Sequence, residues 1–168
     1  MANIQNIRAV GNPQRAYEFE VELLAATAAG TLPILTQRVE SVTIPETSVE
    51  TIEINYKGRK TIHAGRDASG HTVVVSFWDS EKRDVYRFIK RWMEVGISNS
   101  EVGGGMNRED YATQMLIRTF AADSDKVTGI TRLTHVWPTS LGEVRLDYAT
   151  SEHLKFDVTF SYDSVLSF

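Results

Sequence analysis

Apolar and polar residues alternate with a period of two along several segments of the chain. In YEFEVELL, residues 17–24, aromatic and aliphatic side chains fall on one side and three glutamates fall on the other. This period is typical of a strand with one face buried. Comparable strand patterns recur at residues 71–78, 112–120, 130–137, 143–148 and 154–162. We therefore predict an antiparallel sheet protein, either a sandwich or a barrel.

One segment has the period of a helix instead. Asp79 or Ser80 can cap its start, and Gly96 lies where helices tend to end. A single helix over residues 80–95 is predicted to flank the sheet. Its apolar stripe follows the spacing i, i+3, i+4, i+7 and consists of Val85, Phe88, Ile89 and Trp92.

The opposite face of this helix is basic. It is either an ordinary solvated surface or a docking surface for an acidic partner, and the residues alone leave both open. The basic residues are Lys82, Arg83, Arg87, Lys90 and Arg91.

Residues 46–70 form a long excursion between two predicted strands. Ile52, Ile54 and Tyr56 alternate with polar residues, and the run KGRKTIHAGRDASG that follows is rich in glycine and charge. The excursion is therefore predicted to be a long loop or hairpin that begins as a strand and ends as a loop. An isolated hairpin is marginally stable in water, so we expect this segment to lie on another surface, which a second chain could supply.

Length and composition are those of a globular protein with one domain, residues 1–168. Residues 1–15 are polar and are predicted to form an N-terminal arm. The absence of cysteine excludes disulfides and thiolate metal sites and suits a reducing cytosol. We expect neither a signal peptide nor membrane insertion. The formal net charge of −4 shows no excess of basic residues that would bind the phosphates of nucleic acid.

Patterns that would carry catalysis are weak. No histidine has a second histidine four residues on, as a helical zinc motif requires. The sequence also lacks the glycine-rich phosphate loops and the GxSxG elbow. Glu18, Glu20 and Glu22 share one strand face and suit a solvated acidic surface better than paired acid and base groups. We expect no catalytic residue, no metal and no cofactor.

The polar faces of the predicted strands carry more acidic than basic residues. Long strands with open edges favour aggregation unless the sheet closes. One chain of this size could close on itself, or several copies could share a sheet around a ring. The alternation alone does not choose between these arrangements.

Three segments together resemble one protein family. WPTSLGEVRLDY, residues 137–148, resembles the WPT-x-x-GE-x-x-L-x-W/Y corner of the tail tube proteins of contractile-tailed bacteriophages. The loop, strand, turn and aromatic-ended helix of residues 61–92 are similar to that family in the same order, and so is the terminal strand LKFDVTFSYD. The likeness covers roughly residues 16–163, and EVGGGMNRED departs from the family pattern.

The resemblance implies an architecture and a function. Members fold as two packed antiparallel sheets with one flanking helix. Six copies form a ring whose inner strands join into a continuous β-barrel, and stacked rings form a rigid tube inside a contractile sheath. The tube pierces the cell envelope and conducts DNA from the capsid. The chain is then a structural protein of the virion tail that is assembled in the host cytoplasm and is not an enzyme.

The resemblance also implies a set of partners. The first is the chain itself, in hexameric rings and stacked tubes. The others are the sheath protein, the baseplate or tube initiator, the tail terminator, the tape measure protein and, transiently, DNA in the lumen.

Site residues follow from this assembly. Duplex DNA carries one negative charge per about 1.7 Å of its axis, so an acidic lumen would let it slide where a basic lumen would hold it. Which polar strand faces line the lumen stays open. The candidate lumen-facing residues are Glu18, Glu20, Glu22, Glu53, Glu143, Asp147 and Asp157.

Two further surfaces are expected to make contacts in the tube. The N-terminal arm and residues 46–70 would order against the next ring, unless the latter are an ordinary surface loop. The candidate inter-ring residues are Lys57, Arg59, Lys60, Arg66 and Asp67, and the candidate sheath-facing residues are Arg83, Arg87, Lys90 and Arg91.

A structural corner is expected at Trp137, Pro138 and Gly142. Trp137 is predicted to be buried there and to set the strand direction. Truncating a buried tryptophan costs about 3–5 kcal/mol, so Trp137→Ala is expected to endanger the fold.

Other functions remain as alternatives. The same architecture serves in R-type bacteriocins, extracellular injection systems and type VI secretion, whose tubes pass ions or proteins rather than a genome. A tube-initiating baseplate protein would have extra domains. Two further alternatives come from other functional classes: a monomeric β-sandwich binding module and an enzyme.

Overall fold

The alternating segments form antiparallel strands. The computed structural model describes residues 14–24, 33–97, 107–122, 124–144, 146 and 153–168. The strands are β1 Phe19–Leu23, β2 Val39–Val42, β3 Val49–Tyr56, β4 Arg59–Asp67, β5 Thr72–Trp78, β6 Thr113–Ala121, β7 Ser124–Leu141, β8 Lys155–Ser161 and β9 Ser164–Ser167. The helical segments are a 3₁₀ helix Pro33–Arg38, helix α1 Asp84–Trp92 with a π-helical turn Met93–Ile97, and a short helix Arg108–Tyr111.

Seven strands belong to one antiparallel sheet, in the order β1-β6-β7-β8-β5-β2, and β9 pairs with β7. The long strand β7 joins two halves, because its earlier residues pair with β6 and β9 and its last residues pair with β8. We call β1, β6, β9 and the earlier part of β7 the first layer, and β2, β5, β8 and the end of β7 the second layer. The predicted fold class, two packed antiparallel sheets with a flanking helix, is confirmed.

The two layers bury their apolar faces in one core. Inward side chains from β1, β5, β6, β7 and β8 meet there, and α1 adds Val85, Ile89 and Trp92. The indole N–H of Trp92 donates to the carbonyl of Tyr111 at 2.8 Å, which satisfies its polar group inside the core. Each fully buried apolar side chain of this kind stabilises the fold by about 1.5–3 kcal/mol.

Strand β7 changes partner at a bulge around His135. His135 has a φ of 51°, a left-handed conformation that is uncommon for a residue other than glycine. Trp137 then pairs with β8, and the buried Pro138 follows it in the same strand. The predicted corner is therefore a bulge inside a continuous strand. The prediction that Trp137 is buried was only partly right, because its side chain is half-buried.

Gly142 ends this strand where the chain passes close to β8. Its N–H donates to the carbonyl of Asp157 at 2.7 Å, and a Cβ at this position would lie 2.7 Å from the same oxygen. Glycine is the residue that allows such a close approach of two backbones.

Helix α1 begins at Asp84, four residues later than predicted. Asp79 nevertheless caps it, because its carboxylate accepts the N–H groups of Val85 at 3.3 Å and Tyr86 at 3.0 Å. The predicted cap has the right chemistry, but it acts from outside the helix across an intervening turn. Arg38 donates to the same carboxylate at 2.9 Å and anchors the 3₁₀ helix to α1.

Residues 49–67 form a two-stranded hairpin of their own, β3 with β4. Lys57 and Gly58 both have positive φ, 47° and 77°, as in the tight turns that match the twist of paired strands. The prediction that the excursion ends in a loop was wrong, because its second half is strand β4.

The closing part of the chain differs from the prediction at one strand. Gly142–Val144 are not in a strand, and Arg145 and residues 147–150 lie outside the described residues. The strand predicted at 154–162 is present as β8, and the edge strand β9 that follows was not predicted. The run EVGGGMNRED, which departs from the family pattern, leads into the short helix, and residues 98–106 lie outside the described part.

Candidate assembly surfaces

The first layer has an open edge at β1. This strand pairs only with β6 among the described strands, and the carbonyl of Glu18 accepts the N–H of Phe120 at 2.9 Å. Backbone groups of an antiparallel strand alternate between its two sides. The N–H and C=O groups of Phe19, Val21 and Leu23 therefore point to the open side.

The other open edge of the first layer is β9, which within the described structure pairs only with β7. Ile130 and Phe168 exchange two backbone hydrogen bonds, of 3.1 and 2.9 Å. By the same alternation, the backbone groups of Leu166 face β7 and those of Val165 and Ser167 face outward. Both edges can accept a further strand.

The polar face of β1 holds a compact charge cluster. Arg118 of β6 lies between Glu20 and Glu22, with nitrogen–oxygen distances of 3.1 and 2.7 Å. The hydrogen bond to Glu20 is the main cause that raises the pKa of Arg118. Glu18 pairs with Arg15 at 3.3 Å. Arg118 was not among the site residues predicted from sequence, although it occupies a polar position in the alternating pattern of β6.

The remaining candidate lumen residues are not brought together with that cluster. Asp157 lies on the outward face of the second layer, where it accepts the hydroxyl of Ser76 at 2.5 Å. Because the layers pack their apolar faces together, this face and that of Glu20 point away from one another. Glu53 is on the hairpin, Glu143 follows β7, and Asp147 lies outside the described residues.

The hairpin β3–β4 carries all five candidate inter-ring residues. Lys60 pairs with Glu53 at 2.5 Å, and Arg66 pairs with Glu50 at 2.9 Å. These cross-strand pairs are exposed and contribute at most about 1 kcal/mol each. Lys57 stands at the tip with its ammonium 5.3 Å from the Tyr56 ring centroid, and Arg59 begins β4.

Asp67 orders the base of the hairpin. Its carboxylate accepts the hydroxyl of Ser69 at 2.5 Å and the N–H of the same residue at 2.9 Å. These two hydrogen bonds are the main causes that lower the pKa of Asp67. The N–H of Ala68 also donates to the carbonyl of Ser48 at 2.9 Å, so the hairpin projects from a fixed base.

The four candidate sheath-facing residues lie on the exposed side of α1 or just before it. The guanidinium of Arg83 lies 4.7 Å from the ring centroid of Tyr86, and Lys90 pairs with Glu94 at 3.7 Å. Arg87 and Arg91 are exposed and one helical turn apart. This surface could meet an acidic partner, and its contact with a sheath stays a prediction.

Two other kinds of site are absent from the described residues. No group of three or more histidine, aspartate or glutamate side chains in this part of the chain could hold a metal ion. None of the helices described here has the length and apolar character to cross a membrane.

Comparison with known proteins gives the family. The model of the family described as phage tail tube protein matches residues 10–166. Over 130 residues, the chain is 27% identical to tail tube protein gp19 of Enterobacteria phage T6, covering 76% of this chain and 78% of that protein. The gp19 protein of Enterobacteria phage T4 matches with the same identity and coverage.

Solved structures share the fold. A chain in the sheath–tube complex of PVC, an extracellular contractile injection system in the extended state, aligns with a TM-score of 0.67 and 18% identity over 100% of this chain and 99% of that one. A chain in the 6-fold symmetrised baseplate of the anti-feeding prophage aligns with a TM-score of 0.63 and 14% identity, over 94% of this chain and 97% of that one.

The family predicted from the corner and the strand–helix segment is thereby confirmed. Its members are structural components of the virion tail, which is a non-enzymatic role. The family model matches residues 10–166, nearly the whole of this chain, so the chain belongs to the phage tail tube protein family.

Proposed function

We propose that six copies of this chain form a ring, and that stacked rings build the inner tail tube through which DNA leaves the capsid. The observation that carries the proposal is the pair of open edges on the first layer. The likeness to a chain in a 6-fold symmetrised baseplate supports the ring size. Similarity to two phage proteins at 27% identity favours a phage tail, with DNA as cargo, over a protein-injecting relative.

The ring contact joins β9 of one copy to β1 of the next. The first layer has four strands, each antiparallel to its neighbour. An even number lets β9 meet the next copy's β1 in antiparallel orientation at every contact. The first layers of all copies then close into one barrel without an open edge, which removes the aggregation hazard of exposed strands.

The lumen is then lined by the outward face of the first layer. Of the candidate lumen residues, Glu20 and Glu22 lie on this face with Arg118. Arg132 shares it, because it pairs with Leu116, which pairs with Glu22. Acidic and basic groups balance there, so the wall offers phosphates no excess of cations to bind. Asp157 lies outside the lumen in this arrangement.

Stacking of rings uses the hairpin, whose apolar residues are exposed. Ile54 and Tyr56 expose 52% and 69% of their surface. A two-stranded hairpin in water is marginally stable on its own, so a second copy that covers it would stabilise it. Further partners of the tube are the sheath protein, the baseplate initiator, the tail terminator and the tape measure protein.

Ser167→Pro tests the ring contact. Ser167 has its N–H on the open side of β9, so proline removes an outward donor while the bonds to β7 remain. We expect a folded subunit that forms neither rings nor tubes in electron micrographs. Ser167→Ala is the matched control and should assemble normally. Hexameric rings formed by Ser167→Pro would overturn the proposed edge pairing.

A further inference from the structure

The ends of the seven-stranded sheet, β1 and β2, lie beside one another without pairing and leave a cleft. Its volume is about 640 Å³, which is within the range of pockets that bind small ligands. Tyr17 and Ile44 at its mouth are 69% and 54% exposed. Its apolar wall consists of Tyr17, Phe19, Val42, Ile44 and Ile117.

The hairpin β3–β4 offers a shape that fits such a cleft. Ile52, Ile54 and Tyr56 alternate along β3, so their side chains form one apolar stripe that leads to the tip. All three are at least half exposed. A stripe of this kind on a monomer indicates a contact with another surface.

The cleft is near the base of the hairpin, and the tip is at the hairpin's far end. Ile44 of the cleft and Val49, where β3 begins, are five residues apart, so these two residues lie within about 18 Å of one another. The tip lies about 26 Å farther on, since eight residues of β3 rise about 3.3 Å each. A contact from the tip of one copy to the base of another uses two different surfaces and can repeat without end. Growth of a tube along its axis needs a contact of that type.

Charge complements this geometry. The tip carries Lys57, Arg59 and Lys60. The charged residues that line the cleft are Glu18, Glu40 and Arg15. Within the copy, Glu40 pairs with a lysine at 2.5 Å and Glu18 with an arginine at 3.3 Å. A carboxylate has two oxygens and about four acceptor positions, so each can accept a further donor from the tip.

We infer that the cleft between β1 and β2 is the receptor for the hairpin tip of a second copy in the adjacent ring. Tyr56 and Ile54 fill the apolar wall, and the basic tip meets Glu18 and Glu40. The inference rests on the proposed stacking of rings and names the surface where it occurs. The cleft is lined by the segment before β1 and by Phe19 alone of β1 itself, so most of the β1 edge stays available for the ring contact.

Disulfide cross-linking tests this docking. The chain has no cysteine, so Tyr56→Cys and Ile44→Cys can be introduced singly without background. Both positions are exposed, and neither substitution removes a core side chain. The two variants are tagged differently, mixed in equal amounts, assembled and oxidised. A covalent dimer that carries both tags arises only between copies.

We expect the mixed dimer to exceed each homodimer at least tenfold in assembled tubes and to disappear on reduction. Tyr56→Cys mixed with Ser140→Cys, an exposed position on the second layer, is the control and should give no enrichment. Micrographs of the same samples score assembly independently. Tubes without the mixed dimer would overturn the docking and leave the ring intact. Failure of the unsubstituted chain to form any tube would overturn the stacking and this inference together.

Discussion

Trp92 and Trp137 illustrate how burial decides the role of a side chain. Trp92 is fully buried, donates to the carbonyl of Tyr111 and packs near the rings of Phe88 and Phe160. Trp137 is half-buried and meets the Tyr111 ring edge-on, with centroids 6.0 Å apart. Sequence similarity drew attention to Trp137, but the core depends on Trp92.

Trp92→Ala is expected to lower the free energy of unfolding by about 3–5 kcal/mol, as for other large-to-small changes in a core. Trp137→Ala is expected to cost about 1 kcal/mol, the typical value for point substitutions. Urea unfolding of the monomeric subunit, followed by circular dichroism, measures both. Equal losses for the two variants would contradict this assignment.

Asp79 shows what a local pattern can and cannot predict about one residue. An acidic residue before an apolar helical stripe predicts a cap, and Asp79 is one. The pattern could not place the helix start, because Asp79 reaches Val85 six residues away through a turn in which Arg83 has a φ of 53°. Its ion pair with Arg38 joins residues 41 positions apart, a distance that no local pattern covers.

At the scale of elements, period-two alternation correctly predicted β1, β5 and β8 and the side of each that is buried, because it depends only on neighbouring residues. The choice of partner strand depends on contacts between distant residues. Sequence therefore predicted neither the partner change of β7 at His135 nor the edge strand β9. The candidate lumen residues were grouped because they alternate with apolar residues along predicted strands. The pairing of the strands then places Asp157 on the second layer and Glu20 on the first.

We expect the hairpin to stabilise the assembly more than the subunit. No residue of β3 or β4 belongs to the core cluster. Deleting residues 57–60 is therefore expected to block tube growth while the urea midpoint of the subunit changes little. Analytical ultracentrifugation and electron microscopy would follow assembly.

Thr51→Ser is the control for that deletion, because Thr51 is an exposed residue on the face of β3 opposite to Ile54 and Tyr56, and this variant should preserve assembly. Tubes of normal length from the deleted chain would show that residues 57–60 do not make the contact between rings.

At the scale of the whole molecule, the two layers present their polar faces in opposite directions. Only one of these faces can line the lumen. Glu20→Lys with Glu22→Lys would turn the first-layer face strongly basic beside Arg118. Virions with this pair of substitutions are expected to form tubes but to release DNA more slowly, with a strong dependence on salt.

Asp157→Lys with Glu143→Lys makes the same change of charge away from that face and serves as the control. Its DNA release, measured by dye fluorescence after triggering, should match that of the unsubstituted virion. Unchanged release from the Glu20 and Glu22 variant would mean that β1 does not line the lumen.

The 18-residue strand β7 belongs to both layers, and this has a mechanical consequence. One layer cannot slide along the other unless the covalent backbone of a single strand bends at His135. A shearing load on the tube wall is thus carried partly by chemical bonds rather than by side-chain packing alone. The shared strand therefore stiffens each subunit of the wall, independently of contacts with neighbouring subunits.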